Sequence, residues 1–259
     1  HEAKGDNNYS KRGFPIDMTN ENSFLYQLKR SYLWSGVLFA RRSAKLEFDQ
    51  ELSSAVDYDW YFNHYFKGSL IHFITEPLAR YRLHQNNTSK KLGKSTENVF
   101  RILQKYDFKK AYKDLCKTTK SDELQISFAW YHFTLREYDQ ALQKLSKVKA
   151  GNFDRDFLDA TINASKRDFL RSIDQFRLLY EKKPDYPESL NNLAVCLLHS
   201  SKEIEQARDL LTKATRMNPN YLDAKNNLRV ISSELFNVQD LNLTTKPLRT
   251  ELTHIDNYK

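Results

Sequence analysis

The chain is poor in the features that staple, anchor or metallate a protein. It holds two cysteines in 259 residues, Cys116 and Cys196. They lie in different parts of the chain without metal-ligand spacing, which leaves no disulfide framework and points to reduced thiols in a cytosolic setting. No apolar run approaches 18 residues and the mean hydropathy is −0.73, so a transmembrane helix is excluded. The first 23 residues are polar, with Asp6-Asn7-Asn8 and Lys11-Arg12-Gly13, and contain no paired aspartates. There is no signal-peptide pattern, and the chain starts with His1 rather than Met. Its basic residues form no compact motif with interleaved aromatics, which argues against nucleic acid as a partner.

What is present begins with two landmarks. The first is Asp57-Tyr58-Asp59-Trp60; the second is Pro77-Leu78-Ala79-Arg80-Tyr81-Arg82-Leu83-His84, followed by Asn86-Asn87-Thr88-Ser89. Between them lie Gly68 and the apolar run Leu70-Ile71-His72-Phe73-Ile74, whose length predicts a buried strand. A carboxylate pair and an Arg/His pair are thus expected at the ends of neighbouring elements, as metal-dependent chemistry on a phosphorylated substrate requires.

Four blocks in order carry a resemblance: Trp34 through Ser43, Phe48-Asp49-Gln50-Glu51-Leu52, Asp57-Tyr58-Asp59, and Pro77 through Ser89. Together they resemble the acceptor half of a family 2 glycosyltransferase of the GT-A type, over about the first 90 residues. The resemblance implies an α/β fold there and transfer of a sugar from a nucleotide-diphosphate donor to an acceptor hydroxyl with inversion. It makes Asp57 the base, Arg82 and Arg41 the cations facing the diphosphate, and His84 a metal ligand. It also implies Mg²⁺ or Mn²⁺, since hard oxygen donors and a diphosphate suit such ions. The acceptor is a polysaccharide, a lipid-linked sugar or a protein. Two departures stand out. Val56 occupies the place where the family commonly has Glu, and the donor-binding half with its Asp-x-Asp motif has no counterpart here. The expectation is a fragment of a longer enzyme, inactive alone. A bland reading stays open beside this one: Asp57 and Asp59 as caps of the helix formed by Trp60, Tyr61, Tyr65 and Phe66.

Charge divides the chain near Lys120. The whole surplus of +8 lies before that point and the remainder is neutral. Such a surplus suits a domain handling diphosphates or working peripherally at the inner face of a membrane, and it equally suits a solvated helical linker.

From Ser121 the chain reads as nearly continuous helix with internal repetition. Tyr138-x-x-Ala141-x-x-x-Leu145 recurs as Phe169-x-x-Ser172-x-x-x-Phe176 and as Ile204-x-x-Ala207-x-x-x-Leu211, at intervals of 31 and 35 residues. Pro184 and Pro219 end the second and third units. These units resemble tetratricopeptide repeats. A peptide or protein partner on their concave face is implied, with Asn191, Asn192, Asn226 and Asn227 placed to offer side-chain amides to an extended backbone. The alternative is that these amides bridge helices within the solenoid. Leu222 to Leu235 is expected as a capping helix, and the tail after it as poorly ordered or laid along the surface.

The sequence therefore predicts an α+β chain: a partial GT-A (α/β) acceptor half over 1–92, a basic helical linker over 93–120, an all-α tetratricopeptide-like solenoid over 121–236, and a tail over 237–259. The rival function is a non-catalytic interaction scaffold carrying a glycosyltransferase remnant.

Overall fold

The computed structural model describes residues 19–29, 47–72, 92–201, 203–219, 221–233 and 235–245. Every regular element among them is helical: α1 (Asn20–Lys29), α2 (Val56–Phe66), α3 (Leu92–Lys105), α4 (Phe108–Thr118), α5 (Asp122–Thr134), α6 (Tyr138–Leu145), α7 (Phe153–Ser165), α8 (Phe169–Lys182), α9 (Pro187–Ser200), α10 (Ile204–Met217), α11 (Leu222–Ile231), and a short 3₁₀ turn over Val238–Asp240. The expected α+β class is thereby corrected, because no strand occurs among the described residues.

The expectation fails first after α2. Gly68 takes a left-handed conformation (φ +73), and the N–H groups of Gly68 and Ser69 fold back onto the carbonyls of Tyr65 and His64. This closes the helix C-terminus. Leu70, the first residue of the predicted strand, is 79% exposed, and residues 70–72 take no regular structure. A strand needs a neighbour to satisfy its backbone, and the described residues supply none. Phe73 and Ile74 lie outside them.

The described residues fall into two compact units, one up to Val148 and one from Lys149 onward. The first has an aromatic interior. Phe24 of α1 stacks on Tyr65 of α2 at 4.1 Å, Phe66 lies parallel to Tyr106 at 5.2 Å, and Phe108 meets Phe62 edge-on at 5.0 Å. These offset and edge-to-face pairs are the arrangements that ring quadrupoles favour. Residues 93–120, read from sequence as a basic linker, form α3 and α4. Ile102, Leu103, Phe108, Ala111 and Leu115 enter the same core, while Lys109, Lys110, Lys113 and Lys117 stay outside. The Asp107 side chain accepts the Lys110 N–H and starts α4, and Ser121 accepts from Leu124 and starts α5. Helix α5 is buried nearly all round, by Leu124, Ile126, Phe128, Ala129 and Trp130 among others.

The second unit is built on small and aliphatic residues. The motif seen in the sequence falls on helix starts: α6, α8 and α10 begin at Tyr138, Phe169 and Ile204. Its small and large positions are all buried, namely Ala141 and Leu145 in the first unit, and Ser172, Phe176, Ala207 and Leu211 in the second. Small side chains let neighbouring helices approach closely, and large ones fill the space between pairs. Asn152 caps α7, and Pro187 opens α9 at the first helical turn, where its missing N–H removes no bond. Arg167 ends α7 with φ +67, its N–H on Ala164 and that of Asp168 on Asn163. Arg136 ends α5 in the same way, with φ +61.

Candidate functional site

Of the residues that the glycosyltransferase resemblance singles out, only Asp57 is described. Arg41, Arg82 and His84 lie outside the described residues. Asp57 sits half-buried in the first turn of α2, where its Oδ1 accepts the Tyr58 N–H at 2.9 Å. It is not the cap: α2 begins after Ala55, which has φ 60 and makes no side-chain cap bond. Asp59, the fourth residue of α2 and so a full turn past the cap, is buried and fully engaged. Lys105 Nζ lies 3.0 Å from each of its carboxylate oxygens, and the Tyr106 hydroxyl donates to Oδ1 at 2.8 Å. Lys105 also reaches Asp49 at 3.1 Å. Burial opposes charge on Lys105, but its bonds to Asp59 and Asp49 prevail and hold its pKa above the ordinary value. An ammonium thus stands where a divalent ion would have to meet Asp59. No group of three His, Cys, Asp or Glu side chains converges on a metal-sized site among the described residues, and His84, the expected ligand, lies outside them. No helix among them is long and apolar enough to cross a membrane.

The four asparagines lie on α9 and α11, at positions that correspond in successive helical pairs. Asn191, Asn192 and Asn227 have no exposed surface, which is unusual for amides and demands partners. The partners come from the C-terminal segment. Asn227 accepts the Asn242 N–H at 2.7 Å and donates to the Asn242 carbonyl at 2.8 Å. Asn192 accepts the Thr244 N–H at 2.8 Å and donates to the Thr244 carbonyl at 2.9 Å. Each amide therefore does to one residue what a neighbouring strand would do. The positions read lie two residues apart, the period at which an extended backbone turns the same edge outward. Leu241, with φ −76 and ψ 139, has that extended geometry. Asn191 links the rungs: its Oδ1 accepts from Asn227 at 2.8 Å, and its Nδ2 donates to the Asn242 carbonyl at 3.1 Å. Asn226, more exposed, makes a longer bond of 3.4 Å to the Asp240 carbonyl.

Beside this ladder the intervening leucines border a hollow whose lining mixes apolar side chains with Ser165, Arg167 and Gln239. A cavity of about 210 Å³ is lined by Phe169 of α8, Val195 and His199 of α9, and Leu241 and Leu243 of the segment. The His199 ring stacks on Phe169 at 4.5 Å, and burial lowers its pKa. The segment thus presents Asn242 and Thr244 main chain to amides and leucine side chains to a hollow. The amides bond the extended backbone of this chain's own C-terminal segment and bridge α9 to α11 at the same time.

Sequence reasoning passed over Asn242, Thr244, Tyr221 and Asp223. The tail was expected to be loose or superficial, yet Thr244 is 3% exposed. A signal was present: Leu241-Asn242-Leu243-Thr244 alternates apolar and polar residues, the pattern of an extended segment with two unlike faces. Comparison of the chain with family models, with curated proteins and with solved structures finds no match.

Proposed function

We propose that the helical pairs α7 to α11 form a receptor for an extended polypeptide segment, and that residues 241–245 of this chain are its resident occupant. The observation that carries this is the pairing of Asn192 and Asn227 with both the N–H and the C=O of alternate residues. Contacts to main chain are indifferent to side chain, so they transfer from the tail to any extended segment of the right shape. The test uses the full chain with Asn242→Pro and Thr244→Pro, which removes both N–H donors and unseats the tail. A labelled peptide copying residues 236–245 is then added. The double variant binds it, the parent chain binds at least ten-fold more weakly because its groove is filled, and Asn192→Ala in the double variant abolishes binding. A folded double variant that ignores the peptide overturns the proposal. So does a double variant whose α7 to α11 lose their helical protection, since the tail is then a fixed part of the core.

A second reading keeps the sugar-transfer chemistry that the resemblance implies, with the repeats presenting a polypeptide acceptor. The contrast between the two carboxylates of α2 favours it. Asp59 lies a turn inside α2, bound by Lys105 and Tyr106, whereas Asp57 lies half-buried in the first helical turn, where the helix dipole favours a carboxylate. Asp57→Asn that leaves the melting temperature unchanged and removes nucleotide-sugar turnover supports it; unchanged turnover sinks it.

A further inference from the structure

The asparagines read only main chain, but one side chain of the docked segment is held as tightly as its backbone. The Thr244 hydroxyl donates to Asp223 Oδ2 at 2.7 Å and lies 2.5 Å from the Tyr221 hydroxyl and 3.1 Å from Asn191 Nδ2. One donated and two accepted bonds exhaust the capacity of a hydroxyl. Tyr221 is 1% exposed, so no water stands ready to replace the threonine. Asp223 is half-buried, and burial raises its pKa even against the bond from Thr244. The neighbouring positions are chemically different. Asn242 is exposed, and Leu241 and Leu243 line the hollow beside the stacked Phe169 and His199 rings.

We propose that this groove selects its partner by a threonine hydroxyl: its ligand is an extended polypeptide of the pattern apolar, any residue, apolar, threonine, with the threonine hydroxyl unmodified. This rests on the peptide-receptor reading above and adds side-chain specificity to it. A valine of the same shape leaves the Asp223 carboxylate and the buried Tyr221 phenol without the hydroxyl they bond, while Asn191 Nδ2 keeps its other acceptors, and sites built to bond a hydroxyl reject analogues that lack one. A phosphothreonine brings close to two negative charges beside Asp223 and needs volume that the pocket does not have. Phosphorylation of the tail or of a partner at this threonine thus empties the groove. The apolar positions are permissive in size, because the hollow of about 210 Å³ leaves room beyond the leucines.

The experiment uses the full chain with Asn242→Pro and Thr244→Pro and four labelled peptides copying residues 236–245. One carries threonine at the place of Thr244, one valine, one phosphothreonine, and one threonine with aspartate in place of Leu243. The threonine peptide binds, the valine peptide binds about a hundred-fold more weakly, and the phosphothreonine and aspartate peptides do not bind measurably. Adding Asp223→Ala to the chain shrinks the threonine–valine difference to about ten-fold or less, which shows that the discrimination resides at that carboxylate. Valine binding within about three-fold of threonine overturns the hydroxyl selection and leaves the main-chain receptor standing. Failure of all four peptides to bind overturns the receptor and this inference with it.

Discussion

The two units differ in the polar groups that they bury most deeply. In the first, rings fill the interior and one charged pair, Asp59 with Lys105, is drawn to its edge. In the second, helices close on alanine and leucine, and three uncharged amides are carried to zero exposure. An ion pair in a low-dielectric setting is fixed in place, because separating it leaves a bare charge. An amide ladder is satisfied equally well by any extended backbone, so its occupant is exchangeable without a change in what the amides do. The first unit holds its ion pair in place, and under the receptor reading proposed above the second exchanges the backbone that its amides bond.

The largest expected effect tests whether the units are independent. Phe108→Ala removes a ring that meets Phe24, Phe62, Phe66 and Tyr131, and should destabilise the first unit by about 4 kcal/mol. Amide exchange should then rise across α1 to α6 while α7 to α11 keep their protection; equal loss in both would break the comparison. Next is Lys105→Met, which strands Asp59 in a buried position with only Tyr106 as partner. A loss of about 2 kcal/mol in urea denaturation is expected, with Asp59→Asn in the same chain restoring part of it. No recovery would mean that Lys105 acts through its packing alone.

The smallest effect is on pH. Burial depresses the pKa of His132 below its ordinary 6.5, although Glu137 at 2.7 Å pulls the other way. His64, lowered by burial and by Lys67, belongs to the same unit. The folded state therefore binds fewer protons than the unfolded state between the lowered values and 6.5. Stability contributed by the neutral rings is full above 6.5 and is lost as pH falls through that window. The urea midpoint of the first unit should drop between pH 7 and pH 5.5, and His132→Gln should flatten that drop. A midpoint that rises on acidification would reverse the assignment.

The helical pattern after Ser121 was legible because it repeats. A single Ala141 or Leu211 says little, but the same small-to-large spacing three times fixes which face is buried. The asparagine pairs were legible as amides aimed at a backbone for the same reason. The strand expected from Leu70 is not seen over residues 70–72, because so short a run has no period that separates a strand from a helix end, and the left-handed turn at Gly68 acts locally. The linker over 93–120 was judged by its lysines, whereas Phe108, Ala111 and Leu115 lie on one helical face and carry the structure. The threonine pocket was not legible at all. It joins Asp223, Tyr221 and Thr244 across a chain reversal that no local spacing encodes.

The short connection from the end of α11 to Leu241 has a quantitative consequence. A segment tethered so closely to its groove is present there at an effective concentration on the order of millimolar. A partner supplied at about a micromolar level must bind roughly a thousand-fold more tightly than the tail does to fill half of the sites. The tail therefore sets a threshold: weak ligands leave the groove closed, and only a segment better matched than the chain's own opens it.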